Sequence, residues 1–279
     1  MLKLNNKQKI ALLSALILLI ILPISLTSYN YIAHIGTLAV IYAIACLGLN
    51  IQMGSARMTN FAPAAFMGVG AYSVGVCTLK FGLSPWIGML LGIFLSGIFG
   101  LFVGLTTLNT KGYYLSLVTT AIQVAFTQLL ITIHYLGGSD GMNNITKYSI
   151  FGVKLFKKYT IGNIKFAAQI PHMIFCILVL VLITYIVQRI YFCKHGFSLN
   201  IISQDEIAAH CFGIDVPRQK LFAFISGGMI MGLAGTLQVG LEGYVGPYNY
   251  NFNKSLMLIC MVILGGIDNP MGVISGAFL

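Results

Sequence analysis

Eight apolar runs, most close to 20 residues long, fill this chain and leave only short polar connections between them. A helix of about 20 apolar residues crosses the hydrocarbon layer of a bilayer. Inside that layer a segment can satisfy its own backbone only as a helix or in a closed barrel. These runs are continuous rather than alternating, so helices are the expectation. They fall at residues 10–27, 31–51, 61–79, 85–108, 113–134, 166–188, 221–241 and 255–267. Charged residues make up 8% of the chain, against about 25% in a soluble domain. A soluble surface cannot be built from so few charges. The fold class is therefore all-α: a polytopic transmembrane bundle of about eight spans, one domain over residues 1–279. The polar, aromatic stretch 242–254 is a candidate re-entrant segment.

The two ends of the chain need separate treatment. Lys3, Lys7 and Lys9 precede an apolar run, as in a signal peptide. That run is too long for such a peptide and no small-residue cleavage site follows, so a retained first span is expected. At the other end Asp268, Asn269 and Pro270 break the last run, which then continues to residue 279. This reads either as a truncated product or as a helix completed against a partner.

Charge orients the bundle only weakly. With the N-terminus inside, parity puts nine Lys and Arg inside and seven outside, and five lysines between residues 137 and 165 work against the bias. The net charge of +10 is spread thinly between apolar runs. It reads as topology signals and headgroup contacts rather than a nucleic-acid surface. The six cysteines show no C-x-x-C spacing and the five histidines no paired spacing, so no metal site is expected. No nucleophile–base constellation and no G-x-x-x-x-G-K-[ST] loop occur, so neither catalytic residues nor an ATP site are expected in this chain.

Helix packing is better signalled. Gly88-x-x-x-Gly92, Gly100-x-x-x-Gly104, Gly228-x-x-x-Gly232 and Gly272-x-x-x-Gly276 each place two glycines on one helix face, where helices can approach closely. Asn50, Gln52, Gln123, Gln128, Gln238 and Glu242 are the candidates for lining a path, with interhelical hydrogen bonding as the alternative. Glu242 leads them, because an acid near a span end is costly unless it faces water or a partner.

Residues 194–220 lie between two spans and carry Asp205 and Glu206, two of only six acids. Ser203 can cap a helix there, with both acids in its first turn, and Gly213 would end it. Pro217 would then open the next span. A short helix at about 203–213, outside the membrane, is predicted. Ala208 and Ala209 would let it lie flush in a groove of another protein, or it is an ordinary surface helix.

Glu206-Ile-Ala208-Ala209-x-x-x-Gly213-Ile resembles the E-A-A-x-x-x-G coupling loop of ABC importer permeases. More narrowly, it resembles the M-type subunits of the branched-chain amino acid permease family. Gly48-Leu-Asn50, Gly54 and Phe66-Met-Gly68-Val-Gly70-Ala-Tyr72 look like that family's early block. Thr107-Leu-x-x-Lys111-Gly112-Tyr-Tyr114-Leu115, Gly137-Gly-Ser-Asp-Gly141 and Leu264-Gly-Gly266 with Pro270-x-Gly272-x-x-x-Gly276 follow in the family's order. The resemblance runs from about residue 31 to 279. Phe197, Asn200 and Ser203 depart from it, standing where basic residues are common.

The resemblance implies a permease subunit in a bacterial inner membrane. It would pair with a second permease subunit and two ATP-binding cassette subunits, which would bind the ATP, and would receive solute from an extracytoplasmic binding protein. Asp205, Glu206, Ala208, Ala209 and Gly213 would form the helix that docks on one ATPase. Branched-chain amino acids are the implied solute, with urea or an amide as the related possibility. The competing class is an ion-gradient-driven secondary transporter, which would bury ionisable residues near the midplane; none stands clearly within a span.

Overall fold

The computed structural model describes residues 30–108, 113–150, 153–154, 160–161, 164–165, 169–267 and 269–279. The expected first span at 10–27 lies outside them, as do Lys111, Gly112, Lys157, Lys158 and Asp268. Ten α-helices are described: α1 Asn30–Asn50, α2 Pro63–Leu79, α3 Pro85–Thr107, α4 Tyr113–Thr132, α5 Ile170–Phe192, α6 Lys194–Gln204, α7 Glu206–Cys211, α8 Val216–Glu242, α9 Phe252–Gly265 and α10 Pro270–Phe278. Two small antiparallel hairpins interrupt the 137–165 connection, pairing β1 Ser149–Ile150 with β2 Val153–Lys154 and β3 Thr160–Ile161 with β4 Ile164–Lys165.

Proline and Asx residues set most of the helix starts. Pro63, Pro85, Pro171, Pro217, Pro247 and Pro270 each occupy the first or second position of a helix or helical turn, where a missing N–H costs nothing. Side-chain oxygens of Asp205, Asp215, Asn251 and Asn269 cap α7, α8, α9 and α10.

Among the described residues, five helices are long and apolar enough to cross a membrane: α1 with its extension to Ser55, α3, α4, α5 and α8. The chain is thus a multi-pass membrane protein. α8 is the most buried of the five and packs on α1, α2 and α3 at the centre. α4 is the least buried. Phe94, Ile98, Leu101 and Leu105 on α3, and Leu178 and Leu182 on α5, point outward, as a lipid-facing surface requires.

The expected final span is instead a helical hairpin. Gly266, at φ +93°, turns the chain, and Asn269 caps the returning α10. Gly265 meets Gly272 and Met261 meets Gly276, backbone against backbone, so the two short helices run antiparallel. The other glycine pairs also lie at helix contacts: Gly88 and Gly92 against α2, Gly100 and Gly104 against α8, and Gly228 and Gly232 against Ser96 of α3.

Between α1 and α2 the helix is broken. A π-turn at Ile51–Ser55 leads into non-helical residues 56–62, with Arg57 at φ +46°. A side chain in this left-handed region is strained. Arg57→Gly is therefore expected to raise stability by about 1 kcal/mol, read as a higher unfolding temperature in detergent.

Candidate functional site

Two features stand out: a pair of short helices at one end of the bundle, and a polar interior around the broken segments. α6 follows α5 after Cys193 alone. A Cβ on Gly196 would lie 2.4 Å from the Ile190 and Tyr191 carbonyl oxygens, so the turn needs glycine. Asp205 then leaves the helical region at φ −153°, and its Oδ1 accepts from the Ile207 N–H at 2.8 Å and the Ala208 N–H at 3.3 Å. Asp205, not Ser203, is thus the cap of α7. Ser203 lies in the last turn of α6, where its hydroxyl donates to the Asn200 carbonyl.

Ala209 is fully buried against Ile202 and Val216, and Ala208 is half-buried. The second alanine therefore makes room for the helix's own neighbours rather than for a foreign groove. What faces outward is Ile207, 74% exposed, and Phe212, 78% exposed, with Phe197 of α6 at 69%. Gly213, at φ +74° and with open space beside it, turns the chain, and Asp215 caps α8.

Glu206 does not face outward freely either. Its carboxylate pairs with Lys220 on the second turn of α8, whose side chain is only 10% exposed. The pair and the Ala209 packing tie α7 to the central helix of the bundle. Removing one partner strands the other charge at a mostly buried position. Glu206→Ala is expected to cost about 1–3 kcal/mol. The Glu206→Ala/Lys220→Met double variant should recover part of that loss in thermal unfolding.

The polar interior holds three of the six path-lining candidates, Asn50, Gln52 and Gln123. Gln123, at the midpoint of α4, accepts from the Ala65 N–H at 2.8 Å and the Ser255 hydroxyl at 3.0 Å, and its Nε2 donates to the Tyr250 carbonyl at 2.8 Å. Ser255 in turn accepts from the Ala64 N–H, Thr119 from the Phe61 N–H, and Asn60 Oδ1 from the Ala62 N–H. The open N-terminus of α2 is thus closed by side chains from α4 and α9. Irregular backbone at membrane depth persists only where protein satisfies it in this way. Gln52 supports the same break, accepting from Asn60 Nδ2 and donating to the Phe224 carbonyl. Asn50 donates to the Tyr191 hydroxyl at 2.9 Å. These six buried groups, Asn50, Gln52, Asn60, Thr119, Gln123 and Ser255, hold broken helices together. Gln128 is exposed on the outer face of α4, away from all of them.

Gln238 and Glu242 stand apart, in the last turn of α8 at the end remote from α7. The 243–251 connection folds back into the bundle: Val245 pairs with Met142, and the Tyr250 carbonyl reaches Gln123. This return brings Lys254, on the first turn of α9, beside Gln238. In the sequence Lys254 stands only as the last residue of the polar, aromatic 242–254 stretch. The available signal was the Asn251-x-x-Lys254 cap, which already placed the lysine inside a helix. Thr119 and Ser255 carried no signal of their own, because Thr and Ser are ordinary in membrane helices.

The family model described as branched-chain amino acid transport system / permease component matches residues 31–279. The high-affinity branched-chain amino acid transport system permease protein LivM of Salmonella typhimurium is 28% identical over 98% of this chain and 67% of its own length, and LivM of Escherichia coli gives the same values. The probable branched-chain amino acid transport permease protein LivH of Methanocaldococcus jannaschii is 25% identical over 86% of this chain and 76% of its own. No solved structure matches the chain. The match runs through the broken segment, the short helices and the terminal glycine hairpin alike, and the chain belongs to the branched-chain amino acid transport system permease family.

Proposed function

We propose that the chain is a permease subunit of an ABC importer in a bacterial inner membrane. It forms the path for a branched-chain amino acid together with a second permease subunit. Two ATP-binding cassette subunits supply ATP binding and an extracytoplasmic binding protein delivers the solute. The observation that carries this reading is α7: a capped six-residue helix, outside the spans, that presents Ile207 and Phe212 and is anchored to α8 through Glu206 and Lys220. Exposed apolar side chains on a short helix suit a docking surface. The anchoring to α8 passes displacement of that helix to the centre of the bundle. Coupling needs such an element, shared by two states. On this reading the α6–α7 end is cytoplasmic and the Glu242 end is extracytoplasmic.

The test is co-purification of the tagged chain with a co-expressed ATP-binding cassette subunit from the same organism. Phe212→Asp and Ile207→Asp are expected to lose the ATPase while the permease elutes normally, because both side chains are mostly exposed. Retention of the ATPase by both variants would count against docking through α7.

Lys254 and Glu242 favour a second reading, an ion-gradient-driven secondary transporter, since ionisable groups inside a bundle mark that class as well. Proteoliposomes separate the two: uptake that needs internal ATP and survives a protonophore supports the importer.

A further inference from the structure

Within the bundle, at the end remote from α7, two opposite charges face one another across a single amide. Lys254 Nζ donates to the Tyr42 hydroxyl at 3.0 Å and to Gln238 Oε1 at 3.1 Å, and lies 4.6 Å from the Tyr42 ring centre and 5.7 Å from that of Tyr250. Glu242 accepts from Gln238 Nε2 at 2.7 Å and from Asn249 Nδ2 at 3.2 Å. The buried Gln238 therefore bridges the two charges. Its orientation is forced, because an ammonium only donates and a carboxylate only accepts. Beside it, the hydroxyls of Tyr72 and Tyr250 are buried with no hydrogen-bond partner. Their rings are 6.5 Å apart, and the Tyr250 ring is one of the two under Lys254. Buried phenols without partners call for a ligand or water to complete them.

The Gln238 amide presents a donor to Glu242 and an acceptor to Lys254. An α-amino acid presents the same pattern with full charges, an ammonium at one end and a carboxylate at the other. We propose that this cluster is a holding site for a small zwitterionic amino acid, whose ammonium replaces the Gln238 amide nitrogen on Glu242 and whose carboxylate replaces the Gln238 oxygen on Lys254. The inference rests on the permease reading and adds to it the residues that recognise the solute. Bonds between two ionised partners are stronger than those the amide makes. The Tyr72 and Tyr250 hydroxyls would gain an acceptor in the carboxylate. Gln238 then has a second role: when the solute leaves, it closes the gap so that neither charge is left bare. That keeps release cheap, as a transporter needs.

The test uses the permease with its partner permease and ATPase subunits in nanodiscs, without binding protein. The probe is radiolabelled L-leucine, competed by unlabelled leucine, by leucinamide, which lacks the carboxylate, by isocaproate, which lacks the ammonium, and by urea. Wild type should prefer leucine over each of the others by about tenfold or more, the worth of one charged hydrogen bond. For the Lys254→Met and Glu242→Gln complexes the same competitors are read by leucine-dependent shifts in unfolding temperature as well, so that weak binding is still scored. Lys254→Met should bring leucine down to the level of leucinamide while leaving leucinamide unchanged. Glu242→Gln should bring it down to the level of isocaproate. Lys254→Arg, which keeps the charge, should retain the preference. Equal competition by all compounds in wild type, a preference for urea, variants that weaken every compound alike, or no leucine binding at millimolar concentration overturns the site. Any of these in an intact complex leaves the importer reading standing; that reading fails separately, if no ATPase assembles with the chain.

Discussion

Gly235→Leu is expected to leave no folded permease. A Cβ at this position would lie 1.9 Å from the carbonyl oxygen of Met67, and the next nearest atoms are also Met67 backbone. No side chain can rotate away to relieve such a clash; α2 and α8 would have to separate. They cannot do so locally, because the same pair meets again at Gly70, where a Cβ would lie 2.1 Å from the Gly232 oxygen. α8 also carries the contacts to α1 and α3, so the displacement spreads through the centre of the bundle. Overpacking at a yielding site costs about 1–3 kcal/mol. Backbone-on-backbone contact at the central helix should exceed that, enough to remove the monodisperse peak in fluorescence-detected size exclusion. Phe94→Leu, on the lipid-facing side of α3, should leave the peak unchanged.

Gln123→Leu is the second large effect. Leucine fills much the same volume but can make none of the three hydrogen bonds. The Ala65 N–H, the Tyr250 carbonyl and the Ser255 hydroxyl each lose a partner, though Ala65 still donates to the Ala62 carbonyl, Thr127 to the Tyr250 carbonyl and Ala64 to Ser255. An unsatisfied buried group costs about 1–3 kcal/mol. In membranes measured values run lower, at about 0.6 kcal/mol for an average interhelical bond. A total near 2–4 kcal/mol is expected, seen as a lower unfolding temperature in detergent. Gln123→Glu should do less harm if protonated, since it keeps an acceptor for Ala65. By contrast, Gln128→Leu, at an exposed site on the same helix, should change little.

The contrast between these two glutamines shows what a sequence hides. Gln123 and Gln128 look alike in the apolar run of α4, yet one is fully buried and the other exposed. Periodicity could not separate them, because a membrane helix is apolar on every side and shows no polar face to orient it. Likewise, Ala208-Ala209 falls on the short helix, but only the fold shows that Ala209 packs inward. The capping chemistry of Asp205 and the left-handed turn at Gly213 are local, whereas the direction in which Ala209 points depends on Val216 and Ile202.

Membrane class, an all-helical fold, the position of the short helix and its terminal glycine, and the family follow from the sequence alone. Each rests on local chemistry: run length against bilayer thickness, capping residues, glycine spacing and motif order. Only the tertiary structure decided that the last run is a hairpin, that Asn60 and Gln123 seal a broken helix, that Glu206 belongs to Lys220, and that Lys254 returns to face Glu242 across Gln238. Apart from Gln238 with Glu242 on α8 and Asn60 with Ala62, those pairs join residues from different helices, and which helix faces meet is settled by packing around α8, a property no single segment contains.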